Sequence, residues 1–270
     1  MLLAALLSTT NAAITTDSGT YNTAADLSAS QAVSTKVKEI VNLLDGTQAG
    51  IDSAKAKYLD GYLADAGNLK TLAEGVCSAC TEGTTCASVK AVYPSVSCFL
   101  TDYIEGASSI IDDTSLNVEA RSEWFRVAIQ DGIPVQLAIS YMEKATASDW
   151  DKAAAVLLGT DADRGYAVYG RADGLARDYG TLDGADSEHN NALHSKANEK
   201  ILEALEAGRD TGAYATQTAN VIAQLKVIYA QATLRSTWGV EENLVAGTSH
   251  DKNQGARLNQ SRQDSNRRLG

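Results

Sequence analysis

Proline occurs only at Pro94 and Pro134, phenylalanine twice and histidine three times in 270 residues. The proline shortage leaves long stretches without the residue that breaks a helix most strongly. With only His189, His194 and His250, most histidine-based catalysis and most zinc hydrolase designs are excluded. A glycine-rich phosphate loop, a nucleophile elbow and a His-Glu-x-x-His helix are all missing, so the common enzyme templates fail and a non-enzymatic role is expected. No apolar run reaches the 18 residues that a membrane-spanning helix needs. Basic clusters are missing too: the net charge is −11, which makes nucleic acid a poor partner and favours cations.

What remains is a chain rich in alanine, leucine and small polar residues, long enough to bury a sizeable core. Val33, Val37, Ile40, Val41 and Leu44 recur at helical steps, predicting a helix from about Ala24 to Leu44 that stops at Asp45-Gly46. A second begins near Ile51 and carries Ala54, Tyr58, Tyr62 and Leu69; another runs from Ser97 to Ile111. Val118 to Ala147 reads as one long helix or a pair kinked near Gly132, with Pro134 bending it or opening a new first turn. Ser148 or Asp149 then caps a helix stopped by Gly159. Further helices are expected from Asn190 to Ala207, closed by Gly208, and from Thr218 to Trp238. The class is all-α, an antiparallel helical bundle. Ile133-Pro134-Val135-Gln136 lies over Ile228-Tyr229-Ala230-Gln231, a short match suggesting two related units, 14–147 and 148–245, within one helical domain.

The ends and the cysteines speak to compartment. Met1 to Ala13 has a short apolar core running into small residues, as at the end of a secretory signal peptide; an ordinary N-terminal helix turn is the bland alternative. Cys77, Cys80, Cys86 and Cys98 share one Ser-, Thr- and Gly-rich window, which reads as a loop stapled by disulfides with the pairing open. A zinc site would show two tight pairs or a nearby histidine. Asn259 begins a glycosylation triplet. From Ala246 onward the chain is polar, carries five basic and two acidic residues, and is expected to be a disordered tail over 246–270. A secreted protein of the periplasmic space or cell wall is the consistent picture.

The candidate chemistry is oxygen chemistry, because hard cations prefer carboxylates and phenols. Glu119 and Glu123 stand one helical turn apart; Glu143, Asp149 and Asp151 gather at the next helix junction. Solvated acids and the pull of a helix N-terminus explain the same residues without a metal. Glu188, His189 and His194, with Asp186 and Glu199, form a second constellation whose five-residue histidine spacing suits a linker better than one helix face. Tyr166, Tyr169 and Tyr179 are candidate phenolate ligands that more often serve as core. Arg171 and Arg177 are expected to pair with Asp173 and Asp178, or to cap a helix end, rather than to bind an anion.

The stretch from Asp149-Trp150-Asp151-Lys152 to Gly159, followed by Tyr166, Tyr169, Arg171-Ala172, Arg177 and Tyr179-Gly180, resembles the repeated unit of the Fe-assimilating, low-iron-inducible periplasmic proteins of green algae. Similar segments are Glu123 to Ala147 and Tyr229-Ala230-Gln231-Ala232-Thr233-Leu234-Arg235, so that the likeness covers roughly half the chain. The resemblance implies a secreted, all-helical, non-enzymatic protein made when iron is scarce, with iron or an iron complex as cargo. Glu123, Glu143 and Asp151 lie in the matched stretches and are the expected iron contacts, with Glu119, Glu188, His189 and His194 as weaker candidates. The rival expectation is a structural or adhesive extracellular protein that self-associates or binds wall polymers.

Overall fold

The computed structural model describes residues 12–23, 27–60, 68–78, 101, 104–105, 109, 111–183 and 194–246, and it is mostly helical. Residues 1–11, Asp186, Glu188, His189, Asn259, residues 247–270, most of the cysteine window and most of the stretch from Ser97 to Ile111 lie outside the described residues. Cys77 falls in the last turn of a described helix; Cys80, Cys86 and Cys98 do not fall in any.

The first element is a β-hairpin, which the helical reading of the N-terminus did not anticipate. Strands β1 (Ala12–Thr16) and β2 (Gly19–Thr23) pair antiparallel with Ile14 opposite Tyr21. Alternation puts Ile14, Thr16, Tyr21 and Thr23 on the buried face. Helix α1 (Ser28–Val41) follows and buries Val33, Val37 and Ile40 at the predicted spacing. Of the stretch from Ile51 to Leu69, residues 61–67, Tyr62 among them, lie outside the described residues, and Asn68 is not helical. Helix α2 (Gln48–Asp60) buries Ile51, Ala54 and Tyr58, whereas Leu69 opens α3 (Leu69–Ser78), where Asn68 Oδ1 accepts from Thr71 N at 2.7 Å.

Val118 to Ala147 resolves into three pieces. Helix α4 (Val118–Val127), capped by Asn117, runs into a π-helical turn over Ala128–Gly132 and then into α5 (Ile133–Glu143), with Pro134 in its first turn. Pro134 has no N–H to give, so the regular ladder fails there and the wide turn takes up the slack. Both Ile129 and Ile133 remain fully buried across it.

Helix α6 (Ala147–Leu158) is capped by Thr146, not by Ser148 or Asp149; Thr146 Oγ1 accepts from Asp149 N at 3.1 Å and donates to Asp149 Oδ2 at 2.7 Å. Gly159 ends it at φ +68°, and a Cβ there would lie 2.7 Å from that of Ala167, so conformation and space both demand glycine. A 3-10 turn (Arg164–Tyr166) leads to α7 (Val168–Tyr179), stopped by Gly180. Strands β3 (Leu182–Asp183) and β4 (His194–Ser195) form a short bridge before α8 (Lys196–Thr211), which ends at Gly212, not at Gly208. Gly208 is inside the helix, where a Cβ would sit 2.3 Å from the Trp150 ring. Helix α9 (Tyr214–Ala246) is longer than its periodicity predicted.

Helices α1, α5, α7 and α8 pack about α6, whose Trp150 to Leu158 is buried almost without interruption; α9 lies along α8 and touches α5 and α7. One hydrophobic cluster runs from Ile14 through Trp150 to Ile228. Among the described residues no helix is long and apolar enough to cross a membrane.

Candidate functional site

The expected iron contacts stand on separate helices and do not meet. Glu123 on α4 pairs with Arg126 at 3.2 Å, Glu119 sits in the first turn beside the Asn117 cap, and Glu143 ends α5 at the surface. Among the described residues no three His, Cys, Asp or Glu side chains gather closely enough to hold a metal ion. His194 lies in β4 and contributes to the field at Asp173.

Asp151 is buried, and its carboxylate is fully engaged. Tyr21 Oη donates to Oδ1 at 2.6 Å and Thr23 Oγ1 to Oδ2 at 2.8 Å, so the acid is the seat on which the N-terminal hairpin docks. The Arg209 guanidinium lies 5.2 Å over the Tyr21 ring and Nη1 donates to the Asn22 carbonyl at 2.5 Å. Burial, and then the bond to Asp151, push the Tyr21 phenol far above its ordinary range, which keeps it a donor. The same hairpin is tied to α7 by the Tyr169 hydroxyl, which accepts from Ser18 N at 2.9 Å. Tyr166 donates to Asn42 at 2.9 Å, and Tyr179 faces solvent, so the three tyrosines are spread over different surroundings.

A different acid, unremarked in the sequence, lies at the junction of three elements. Asp131 sits in the π turn between α4 and α5; Arg171 reaches it from α7 with Nε 3.4 Å from Oδ1 and Nη2 3.5 Å from Oδ2. From α9, Tyr229 Oη donates to the Asp131 carbonyl at 3.3 Å. These distances exceed the roughly 2.7–2.9 Å of a tight charge-assisted bond. Asp131 Oδ1 and Arg171 Nε are in consequence buried atoms without a hydrogen-bond partner. The junction is not sealed: the Arg171 side chain keeps 28% of its exposure and Asp131 11%. Burial raises the Asp131 carboxyl above the usual aspartate range, opposed by Arg171, and burial likewise raises Tyr229. Close by, Arg235 of α9 pairs with Asp178 of α7 at 3.3 Å, and Gln231 donates to Thr181 at 3.1 Å.

Arg171 therefore pairs 40 residues upstream, not with Asp173. Asp173 accepts from Ser195 N and Asn198 Nδ2, each at 2.7 Å, and so joins α7 to the start of α8. The one local signal for Asp131 was the predicted irregularity near Gly132, since π turns recur where a side chain must be re-aimed. A loose Asp131–Arg171 ion pair, whose facing Oδ1 and Nε make no hydrogen bond, together with the Tyr229 phenol offers an oxygen donor for a cation and an N–H for its counter-ion. No protein-family model, curated protein or solved structure matches this chain.

Proposed function

We propose that the protein is a non-enzymatic, extracytoplasmic iron-assimilation protein that engages an iron complex at the Asp131–Arg171–Tyr229 junction. The observation that carries this reading is a coincidence of position. Each of the three separated stretches that resemble the algal proteins contributes one side chain to the junction: Asp131, Arg171 and Tyr229. Asp131 Oδ1 and Tyr229 Oη are hard oxygen donors of the type ferric iron takes. Two side-chain oxygens do not complete its coordination, and a guanidinium beside a trivalent cation is tolerated only with an anion between them. The cargo that fits is iron carrying its own anionic oxygen ligands, held by Arg171 through them. The acidic balance of the chain favours approach of a cation; the leader-like start and clustered cysteines support an exported protein.

Ferric titration followed by tyrosinate-to-iron colour and by equilibrium dialysis tests the reading. Saturable binding is expected, weakened about tenfold or more by Asp131→Asn, a loss of about 1.4 kcal/mol. Tyr229→Phe removes the colour, while Glu123→Ala and Glu143→Ala leave both signals unchanged. Binding that ignores Asp131→Asn and Tyr229→Phe but falls in the glutamate variants would move the site to α4 and α5. No saturable binding sinks the reading.

A second reading, a structural protein that self-associates or binds wall polymers, is favoured by the outer face of α9. Val227 and Leu234 are exposed there, and no acid occurs between Asp210 and Glu241. Sedimentation over a range of concentrations tests it: self-association reversed by Leu234→Glu supports it, and a monomer throughout removes its self-association arm.

A further inference from the structure

We propose that the part of α9 from Tyr229 onward is a gate over the Asp131–Arg171 junction, latched by the Arg235–Asp178 and Gln231–Thr181 contacts. The inference rests on the iron reading and supplies the route of entry that such a cargo needs. Asp131 Oδ1 and Arg171 Nε are both buried atoms. A ligand cannot bond to an atom that it cannot reach, so part of the wall around them has to move. Three elements make that wall: the π turn, α7 and α9.

The three are not held alike. In the π turn and just beyond it, Ile129 and Ile133 flank Asp131 and are fully buried; on α7, Ala172 and Leu175 beside Arg171 are buried as completely. Moving either element drags apolar side chains into water. Helix α9 divides in two. Val221, Leu225 and Ile228 are buried, whereas no residue from Tyr229 to Arg235 is. Polar ties run from this second part to the facing elements: Tyr229 Oη to the Asp131 carbonyl at 3.3 Å, Gln231 Nε2 to Thr181 Oγ1 at 3.1 Å, and Arg235 Nη1 to Asp178 Oδ2 at 3.3 Å. Water replaces such bonds at small net cost, so local opening belongs here and not at the apolar seats. Tyr229 rides on the gate itself. Closure over a cargo already on Asp131 therefore delivers the phenol oxygen, and opening withdraws it.

Hydrogen exchange and stopped-flow mixing with ferric citrate, both on the full chain, test the gate. Without iron, the amides from Tyr229 to Arg235 are expected to exchange about tenfold or more faster than those from Val221 to Ile228. Arg235→Gln and Asp178→Asn break the same latch from its two sides, with opposite changes of charge. Each is expected to speed exchange from Tyr229 to Arg235 about fivefold, to leave Val221 to Ile228 unchanged, and to speed iron association by a similar factor. Steering of a charged complex would move the two variants in opposite directions, so a gain common to both reports the latch. Circular dichroism checks that each is folded, and if one is not, the other decides. Exchange as slow from Tyr229 to Arg235 as from Val221 to Ile228 overturns the gate. Saturable iron binding whose association rate ignores both variants overturns it too, and leaves the iron reading standing. No saturable binding removes the iron reading and the gate's role with it.

Discussion

Two aspartates, one buried and one largely so, each with a tyrosine and an arginine beside it, solve the same problem in opposite ways. At Asp151 both carboxylate oxygens receive short bonds, 2.6 Å from Tyr21 and 2.8 Å from Thr23, and Arg209 stays outside on the Tyr21 ring. At Asp131 the arginine stands off at 3.4 Å, and the tyrosine donates to the backbone carbonyl instead of the carboxylate. The first arrangement is closed: its donors and acceptors answer one another, and nothing is left for a ligand. The second leaves a carboxylate oxygen and a guanidinium N–H unspent. An unmet buried polar group costs about 1–3 kcal/mol, so an open junction persists because the surrounding packing holds it.

The comparison breaks most visibly by deleting each acid. Asp151→Ala strands two buried donors and undocks the hairpin, with an expected loss of about 3 kcal/mol in urea unfolding. Asp131→Ala removes a loose pair and is expected to cost less than about 1 kcal/mol. Equal losses would show that both acids are structural and that the contrast is illusory. The tyrosines sharpen the same point at smaller scale. Tyr21→Phe takes one of two donors from a buried carboxylate, about 1.5 kcal/mol, whereas Tyr229→Phe gives up a long bond to a carbonyl, about 0.5 kcal/mol. A larger loss for Tyr229→Phe than for Tyr21→Phe would mean that the α9 contact, not the hairpin seat, is the closed one.

The helices were legible where one face does all the burying. Val33, Val37 and Ile40, and Val221, Leu225 and Ile228, repeat at helical steps and are all buried. Pairings across the chain leave no such rhythm. Asp151 read as a surface acid at a helix start, because its partners Tyr21 and Thr23 lie 130 and 128 residues away. Each strand of the hairpin has five residues, too few to set alternation against a leader-like run of small residues. Gly208 looked like a helix stop, since glycine commonly follows a last turn; its actual reason is room for the Trp150 ring. Asp131 was missed for the same cause as Asp151. Its neighbours in sequence say only that the helix is irregular, while its partners come from α7 and α9. Asp131, Arg171 and Tyr229 come from three separate stretches of the chain, and nothing in the sequence said that they touch.

The smallest expected effect separates open from closed by pH. Asp163, which accepts from Lys38 and Thr35, each at 2.6 Å, is a closed counterpart that titrates. Lys38, followed by Thr35, holds its carboxyl below the usual aspartate range. Its contribution is present above the unfolded aspartate value of about 3.9 and is lost as pH falls through the lower folded value. Asp131 runs the other way, because burial outweighs Arg171 and the folded chain holds the proton more tightly than the unfolded one. Its contribution is greatest below about pH 3.9 and is lost as pH rises through the folded value. Urea midpoints measured across this acid range for the wild type, Asp163→Asn and Asp131→Asn test both signs. The wild type minus Asp163→Asn should rise with pH, and the wild type minus Asp131→Asn should fall. If the second difference also rises, Arg171 is compensating the Asp131 charge in full, and the junction has no unspent carboxylate to offer a ligand.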